Sequence, residues 1–537
     1  MVAVGRGAGI AVVSVVFAAM VGAAGYGVYE FAGAGGPDAG PAPARTGPPD
    51  AQEVRDAARG FLKAWAGEDA AGAAALTDAP SRAQQAVAEY WDVLDAGSMR
   101  TTLRGPSGTR VPFTVKVSLP AGDGKAEWSY ESSLTVVRDG ADGRAVVSWA
   151  PAVLHPSLES GQHLAAGPSD APPGVVHDRD GRALDLQELP SLSGILPRLR
   201  AQAGDGPEGT PGTEVRVVRD GSGETVRTLH TLAKGKPGKP LRTTIDADLQ
   251  RAAEEAVASR RETSSLVAVD SATGGVLAVA NNPAGGFNGA FSGSWAPGST
   301  FKVVTAAALL ERGASSGTSL PCPAQLYVNG KEFHNSEGGS AARATLAQDF
   351  AASCNTAFIS LRDRLPDDAL TSTARDVFGL GLEWHTGVES RDASVPPPGG
   401  DPVEKAATMI GQGRVQANPL AMASVAATVH SGRFRQPVLV PGQEQVAAAR
   451  TLSPGVLDQL RSMMRLTATS GTAASALAGL GGDVGAKTGS AEVDGQDTAN
   501  GWLIAYRGDV AVAAVVERGG HGVDSAGPLV RAVLAAG

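Results

Sequence analysis

The N-terminal segment is the strongest constraint on this chain, because it is able to cross a lipid bilayer. Residues 9–29 read GIAVVSVVFAAMVGAAGYGVY and contain no charged side chain, and about 20 apolar residues are enough for a helix to span the hydrocarbon core. Arg6 precedes this run and no basic residue follows it before Arg45, so the positive-inside bias predicts a cytoplasmic tail at 1–8. We expect a membrane anchor at 9–29 with the rest of the chain extracytoplasmic. A cleaved signal peptide is the alternative.

The composition is that of a folded protein with several domains. Hydrophobic residues make up 42% of the 537 residues and charged residues 19%, and roughly 150 residues per domain predicts three or four units. The net charge is −9 and no long Lys/Arg run interrupts the acidic excess, which argues against a nucleic-acid partner. Residues 30–50 are rich in Gly, Ala and Pro, which is typical of an extended linker.

Residues 51–154 are predicted to form an α+β domain. The apolar residues of its first part recur at the spacing of an amphipathic helix, namely Val54, Ala57, Ala58, Phe61, Leu62 and Trp65. A second helical stretch at 82–96 leads into three strand-like segments, and a hairpin-type loop at 139–143 joins the last two. Helices packed on a curved antiparallel sheet would give such a domain.

The remaining sequence divides near residue 240. Residues 155–240 hold strand-like pieces between Gly/Pro-rich loops, without titratable residues at catalytic spacing, and predict a small β-rich module. From 243 onward, a helix start led by Asp and two apolar strands around the turn at 270–275 precede a mostly helical middle. The end returns to strands and a last helix at 527–537. This order predicts an antiparallel sheet, sandwiched by helices and completed by both ends of the domain.

Ser299 and Lys302 form the only Ser-x-x-Lys of the chain, within APGSTFKVVTAAALLERG. The Pro-Gly before Ser299 and the apolar spacing after it predict a buried helix that begins at or near the Ser. Positions i and i+3 share a helix face, so the amine would lie one turn above the hydroxyl. A Lys activates a Ser nucleophile only if burial or a neighbouring cation keeps the amine neutral. Taken alone, the pattern is more often a helix cap beside a solvated Lys.

Two further motifs also occur once each. Ser-Cys-Asn at 353–355 is the only Ser-x-Asn, and Lys-Thr-Gly at 487–489 is the only Lys-Thr-Gly. Serine acyltransferases that react with penicillin use these three motifs in this order. The alternative interpretations are a polar helix cap for Ser353 and Asn355, and a solubilising Lys at a strand edge for Lys487.

The chain resembles the penicillin-binding protein family, and the similarity extends beyond the three motifs. The segments at 241–256 and 265–281 resemble the start and first hairpin of the family's transpeptidase domain, and 409–432 resembles its Gly-Gln-Gly helix region. The segment PPGVVHDRDGRAL is similar to the family's dimerisation module, with Pro173 in place of that pattern's leading Arg. Residues 51–160 resemble the NTF2-like N-terminal domain of a class B subgroup.

The resemblance implies a multidomain α+β fold. Its last part is a serine transpeptidase domain of the β-lactamase-like kind, an α/β sandwich with an antiparallel sheet. The expected parts are a cytoplasmic tail at 1–8, a transmembrane anchor at 9–29, a linker at 30–50, an NTF2-like domain at 51–154, a non-catalytic dimerisation module at 155–240 and the transpeptidase domain at 241–537.

The resemblance also implies a role for each motif residue in acylation. Ser299 is expected to attack the carbonyl of a D-Ala-D-Ala terminus and Lys302 to accept its proton. Ser353 is expected to relay a proton to the departing D-Ala, and Asn355 to hold the peptide amide. Lys487 adds positive potential that helps to keep the Lys302 amine neutral.

The strand motif is expected to bind the substrate. Thr488, together with Lys487, would hold the terminal carboxylate. Gly489 lacks a Cβ and would let the strand approach the substrate closely. The backbone amides of Ser299 and Ser490 would form the oxyanion hole.

The predicted function is therefore that of a peptidoglycan D,D-transpeptidase, which cross-links stem peptides through a serine acyl-enzyme and is covalently inhibited by β-lactams. No metal or organic cofactor is needed for this chemistry. The alternatives are a D,D-carboxypeptidase, in which water resolves the acyl-enzyme, and a catalytically weak penicillin-binding scaffold of the divisome. The expected partners are stem peptides ending in D-Ala-D-Ala, β-lactam antibiotics, a membrane glycan polymerase and division or elongation proteins.

The chain has two cysteines, Cys322 and Cys354, too few for a disulfide scaffold or a four-ligand zinc site. An extracytoplasmic location permits a disulfide between them, which would pin the loop around Cys322 beside the second motif. The alternative is that Cys354 is a small buried hydrophobic residue.

Overall fold

The computed structural model describes residues 47–121, 124–172, 174–202 and 209–537. The predicted tail and anchor, most of the linker, and Pro173 lie outside the described residues. Within these ranges, no helix combines the length and the apolarity needed to cross a membrane. The described chain divides into two compact units, one made of residues up to 88, 101–115 and 131–156, the other of 89–100, 116–130 and 157–537. The domain boundaries at 154 and 240 stay predictions.

Helices supply most of the regular structure around the motifs. Short 3-10 turns occur at Pro151–Val153, Pro190–Leu192, Gly298–Phe301, Ser336–Gly338 and Arg362–Arg364. The α-helices of the described ranges are α1 (Ala51–Ala66), α2 (Ala70–Ala74), α3 (Pro80–Leu94), α4 (Leu196–Gln202), α5 (Ala247–Ala258), α6 (Gly289–Ser292), α7 (Lys302–Glu311), α8 (Leu346–Ala351), α9 (Asn355–Ser360), α10 (Ala369–Asp376), α11 (Pro402–Met409), α12 (Pro419–Ser431), α13 (Pro454–Thr469), α14 (Ala474–Leu477) and α15 (Gly522–Ala536).

The strands of the described residues form five separate sheets. In spatial order these are β1-β2-β3-β4, β11-β10-β16-β15-β14, β12-β13, β5-β7-β8 and β6-β9. Their bounds are β1 (Ser98–Leu103), β2 (Arg110–Ala121), β3 (Gly124–Arg138), β4 (Ala145–Ser148), β5 (Gln162–Pro168), β6 (Val176–His177), β7 (Thr213–Arg219), β8 (Thr225–Ala233), β9 (Leu241–Arg242), β10 (Ser264–Asp270), β11 (Val276–Asn282), β12 (Gln325–Val328), β13 (Lys331–His334), β14 (Val484–Ala491), β15 (Asn500–Arg507) and β16 (Val510–Val516).

Helix α1 buries the face that its periodicity predicts. All six apolar residues of the predicted stripe are buried, which confirms the amphipathic helix. Asp50 and Glu53 form a capping box that satisfies the first amides of the helix. The Glu53 carboxylate also accepts two hydrogen bonds, of 2.9 and 2.6 Å, from the guanidinium of Arg138. This bidentate pair joins the start of α1 to the end of β3.

The three predicted strands of the N-terminal domain are β2, β3 and β4. Strands β3 and β4 are antiparallel, with Thr135 opposite Ser148, which confirms the hairpin whose loop is at 139–143. Strand β1 was not predicted, because SMRTTL has no apolar alternation and none of its residues is fully buried.

The region at 155–240 is less purely β than predicted. The expected strands are present as β6 and β7, and β7 is the centre of an antiparallel three-stranded sheet. However, the 3-10 turn Pro190–Leu192 and α4 are helical, and Leu192, Ile195 and Leu196 belong to the same hydrophobic core as the residues of the helical middle. The prediction missed this because the segment is short and broken by prolines.

The last domain contains the predicted antiparallel sheet. Strands β10 and β11 from its start and β14, β15 and β16 from its end form one five-stranded sheet. Leu266 and Ala268 of β10 join the core on the side of α5 and α15, whereas Val267 and Val269 join the core on the side of α12. Helices therefore cover both faces. The last helix begins at Gly522, five residues earlier than expected.

Candidate active site

The predicted nucleophile lies on a tight turn rather than inside an α-helix. Ser299 belongs to the 3-10 turn Gly298–Phe301, and α7 begins at Lys302. Gly298 has a φ of +53°, and a Cβ on it would lie 2.8 Å from the carbonyl oxygen of Ser490. Only Gly fits this conformation and this close approach without strain. The backbone next to Ser299 therefore lies directly against strand β14.

Lys302 contacts both the predicted nucleophile and the second motif. Its Nζ donates to Ser299 Oγ at 3.0 Å, to the Ser353 carbonyl at 2.7 Å and to Asn355 Oδ1 at 2.7 Å. The side chain is fully buried. Burial holds the pKa of Lys302 well below its usual value, Lys487 lowers it further, and Asp349 opposes both. The amine is therefore able to be neutral and to accept a proton from Ser299.

Lys487 lies on the other side of Ser353. Its Nζ donates to Ser353 Oγ at 2.8 Å and to the Thr488 carbonyl at 2.9 Å. This amine is also fully buried, and burial lowers its pKa to about 7. Ser353 thus accepts from Lys302 through its backbone and from Lys487 through its hydroxyl, which connects the three motifs in one hydrogen-bonded chain.

The second motif has a strained backbone. Ser353 has a φ of +60°, a conformation that non-Gly residues adopt only when their surroundings enforce it. Asn355 begins α9, and its Nδ2 donates to the His334 carbonyl at 2.9 Å. The hairpin β12-β13 therefore ends directly beside the motif.

Asn335 holds this turn in place, and the sequence reasoning missed it. Its Oδ1 accepts from the amides of Asn355 and Thr356 at 2.8 and 3.1 Å. Its Nδ2 donates to the carbonyls of Pro323 and Gly339, both at 2.8 Å. An isolated Asn in a polar hairpin has no distinctive spacing, so only the folded hairpin reveals this role.

Cys322 and Cys354 form a disulfide, with their Cα atoms 6.2 Å apart. The bridge joins the segment before β12 to the middle residue of the second motif. The alternative of a free, buried Cys354 is therefore wrong. The disulfide holds the loop around Cys322 beside the second motif, as predicted.

The third motif lies on β14. Thr488 Oγ1 is 2.5 Å from Thr472 Oγ1. A Cβ on Gly489 would lie 3.0 Å from the Pro297 carbonyl oxygen and 3.0 Å from Thr300 Cγ2. A side chain at this position would therefore press on the protein's own nucleophile turn, which adds a reason for Gly that sequence reasoning did not give.

The geometry brings all eight predicted site residues together where β14, α9 and the Ser299 turn meet. These residues are Ser299, Lys302, Ser353, Asn355, Lys487, Thr488, Gly489 and Ser490. The Ser299 hydroxyl lies next to the buried amine of Lys302, and Ser353 lies between this amine and that of Lys487. This arrangement is suited to acyl transfer at serine.

Comparison with protein families agrees with this arrangement. The profile described as the penicillin binding protein transpeptidase domain matches residues 264–535, and the one described as the NTF2-like N-terminal transpeptidase domain matches residues 53–162. The first match covers half of the chain and contains every predicted site residue.

Curated relatives include two mycobacterial proteins named peptidoglycan D,D-transpeptidase PbpA. The one from Mycobacterium tuberculosis is 33% identical over 287 residues, which is 48% of this chain and 58% of that protein. The one from Mycolicibacterium smegmatis is 30% identical over 364 residues, which is 56% of this chain and 72% of that protein. The chain therefore spans less than two thirds of the length of the first relative.

Solved structures share the fold. Penicillin-binding protein A from M. tuberculosis, a ceftriaxone acyl-enzyme complex, has a TM-score of 0.52 and 25% identity, and covers 75% of this chain and 95% of its own. PBP2 of Pseudomonas aeruginosa has a TM-score of 0.55 at 21% identity, and covers 68% of this chain and 96% of its own. Together with the two domain matches, these similarities establish that the chain belongs to the penicillin-binding protein transpeptidase family, in the class B group with an NTF2-like N-terminal domain.

Proposed function

We propose that this chain is a peptidoglycan D,D-transpeptidase that cross-links stem peptides and is acylated by β-lactams. One observation carries the proposal: the Nζ of the fully buried Lys302 lies 3.0 Å from Ser299 Oγ. A buried amine with a lowered pKa is the kind of base that a Ser nucleophile needs. The similarity to two proteins named peptidoglycan D,D-transpeptidase supports the same activity.

In the acylation step, Ser299 Oγ attacks the carbonyl carbon of the penultimate D-Ala. Lys302 takes the hydroxyl proton, and the negative charge that develops on the carbonyl oxygen is stabilised by the amides of Ser299 and Ser490. The close approach of Gly298 to the Ser490 carbonyl supports this assignment, because it brings the two backbones together.

The leaving group then needs a proton. Ser353 Oγ, which accepts from Lys487 at 2.8 Å, is proposed to pass a proton to the amine of the departing D-Ala as the C–N bond breaks. Lys302, which is held beside this residue by its bond to the Ser353 carbonyl, is proposed to return the proton taken from Ser299 to Ser353 Oγ, so that Ser353 ends the step protonated. The products are free D-Ala and an ester on Ser299.

The terminal carboxylate of the substrate is proposed to bind at Thr488 and Lys487. Lys487 is a buried amine on β14, and Thr488 presents a hydroxyl that pairs with Thr472. Asn355 is proposed to hold the peptide amide, and its Nδ2, now bonded to the His334 carbonyl, would exchange that partner for the substrate. An amine of a second stem peptide then attacks the ester, forms the cross-link and restores Ser299.

The proposal includes the location of the enzyme. Residues 9–29 are proposed as a membrane anchor and 1–8 as a cytoplasmic tail, which puts the site outside the cytoplasm. The disulfide between Cys322 and Cys354 supports this side of the membrane, because disulfides persist in oxidising compartments. A membrane glycan polymerase, and division or elongation proteins, are proposed as partners on that side. Protease added to spheroplasts should degrade the domain that carries Ser299, and protection of that domain would contradict the topology.

Labelling with a fluorescent penicillin tests the acylation. The intact protein should be labelled and Ser299→Ala should not. Ser315→Ala is the matched control, because Ser315 is an exposed serine in the loop after α7 and belongs to none of the three motifs. Equal labelling of the Ser299 variant removes Ser299 as the nucleophile, and no labelling of the intact protein removes the acylation.

A second measurement separates cross-linking from simple hydrolysis. Incubation with donor and acceptor stem peptides should give a cross-linked dimer and one D-Ala for each bond formed. Release of D-Ala without dimer would indicate a carboxypeptidase, and labelling by penicillin without either product would indicate a scaffold.

A further inference from the structure

Asp349 is a buried carboxylate beside the site that none of the proposed steps uses. It lies on α8 and is 1% exposed. One carboxylate oxygen and the Sγ atoms of Cys322 and Cys354 all lie within 4.8 Å of one another. The Cys354 amide donates to the Asp349 carbonyl at 2.8 Å. The disulfide and this backbone bond therefore fix Asp349 immediately behind the second motif.

The carboxylate is incompletely satisfied by hydrogen bonds. Within the described part of the chain, Asp349 Oδ2 is buried and has no hydrogen-bond partner. An ionised carboxylate in an apolar interior is unfavourable unless a nearby cation compensates it. Asp349 therefore needs a positive neighbour more than a surface carboxylate does.

Lys302 is the cation that acts on Asp349. Lys302 acts on Asp349 from α7, and burial raises the pKa of Asp349 to about 6 although Lys302 lowers it. Lys487 is a second nearby lysine, on β14. Its Nζ lies 5.6 Å from the ring centroid of Phe350, the residue after Asp349. Helix α13, which packs on α8, presents only neutral buried residues, namely Leu457, Leu460, Met463, Met464, Thr467 and Ala468.

We propose that the Asp349 carboxylate is the counter-charge of Lys302, and that it acts as a positioning residue that keeps this amine basic enough to take the proton of Ser299. The inference rests on the proposed acylation function. It extends that function to a residue outside the three motifs, which acts through Lys302 and does not touch the substrate.

The direction of the effect follows from the charges. Burial and Lys487 both lower the pKa of Lys302, and Asp349 alone raises it. A base whose pKa falls far below the working pH is neutral but accepts protons weakly. With a pKa of about 6, Asp349 is mostly ionised at neutral pH, so its negative charge is present when Lys302 works.

The test is the pH profile of acylation by a fluorescent penicillin in the full-length protein and in Asp349→Asn. The second-order rate constant rises with pH as Lys302 loses its proton. Without the negative charge, this rise should move to lower pH by about one unit, and the plateau should fall by about threefold because Lys302 becomes a weaker base. A folded variant whose rise stays at the wild-type pH overturns the proposal.

Asp363→Asn is the matched control, because it makes the same substitution on an exposed carboxylate of the same domain. Its profile should coincide with that of the wild type. If the wild type itself is not acylated, the proposed function fails; if it is acylated and Asp349→Asn has the wild-type profile, only the role of Asp349 fails.

A second measurement on the wild-type protein does not depend on the folding of any variant. With ¹³C-labelled Asp carboxylates, one resonance should titrate near pH 6, well above ordinary Asp values. That resonance should also shift when unlabelled penicillin acylates Ser299. Absence of such a resonance, or one that acylation leaves unchanged, overturns the proposal.

Discussion

The amide of Gly298 donates to the carbonyl of Gly411 at 2.9 Å, and a Cβ on Gly411 would lie 2.1 Å from the Gly298 carbonyl oxygen. Gly411 has a φ of +71° and follows α11. The turn that contains Ser299 therefore packs against the backbone of Gly411, and this contact leaves no room for a methyl group on Gly411.

Gly411→Ala should therefore slow penicillin labelling by at least about tenfold, because a displacement of the Ser299 turn by a fraction of an ångström disturbs its alignment with Lys302. Labelling rates measured at equal protein concentration check this. Gly399→Ala separates the clash from backbone strain, because Gly399 has a similar φ of +68° and no atom within 4 Å of an added Cβ. Equal rates for the two variants would contradict the prediction.

The stability of the protein should rise from neutral to mildly alkaline pH. Lys487 has a pKa of about 7 in the folded chain and about 10.4 when unfolded. Between these values the unfolded chain binds more protons, so the free energy of unfolding increases with pH. Lys302 contributes in the same direction.

Lys487→Met should flatten this rise and should also slow penicillin labelling by about 100-fold. Thermal unfolding between pH 7 and pH 9 measures the slope. Lys331→Met, at an exposed position on β13, should keep the wild-type slope. An unchanged slope in Lys487→Met would mean that this amine keeps its proton in the folded protein.

The disulfide should stabilise the domain by closing a loop. Its cysteines are 32 residues apart, and loop-closure entropy for such a length corresponds to about 3–4 kcal/mol. The double substitution Cys322→Ser with Cys354→Ser should lower the melting temperature, and reduction of the wild type should lower it similarly. Thiol titration of the denatured, unreduced protein should find no free thiol; two free thiols would refute the bridge.

Asn355→Asp should shift the acylation profile in the direction opposite to Asp349→Asn. Lys302 donates to Asn355 Oδ1 at 2.7 Å, so a carboxylate there would raise the pKa of Lys302 and move the rise in rate to higher pH by about one unit or more. The profile is measured as for Asp349. Asn329→Asp, at an exposed turn of the β12-β13 hairpin, should leave it unchanged.

The sequence predicts local structure well where a period or a motif is strong. The stripe that contains Phe61 and Trp65 predicts α1, and apolar runs separated by turns predict β10, β11 and the C-terminal strands. The three motifs predict which residues meet in the site, because helix, loop and strand contexts restrict where Ser299, Ser353 and Lys487 can lie.

The supporting residues could not be predicted in the same way. Asn335 and Asp349 act only after the hairpin and α8 fold against the second motif, and neither belongs to a spacing pattern. The helical segment around Leu192 is likewise stabilised by the core that it joins. Long-range packing determines the places of Asn335, Asp349 and the segment around Leu192, and a local sequence pattern does not record such packing.

The order of strands in the five-stranded sheet also determines at what stage of chain synthesis the site can form. Strand β16 lies between β10 and β15, and β15 holds β14. A growing chain that has reached Ser490 contains every motif residue but has no strand to connect β10 with β15. The site can therefore form only after residue 516 is available to pair. Nascent or truncated chains that end before β16 should be unable to react with penicillin even though all their motif residues are present.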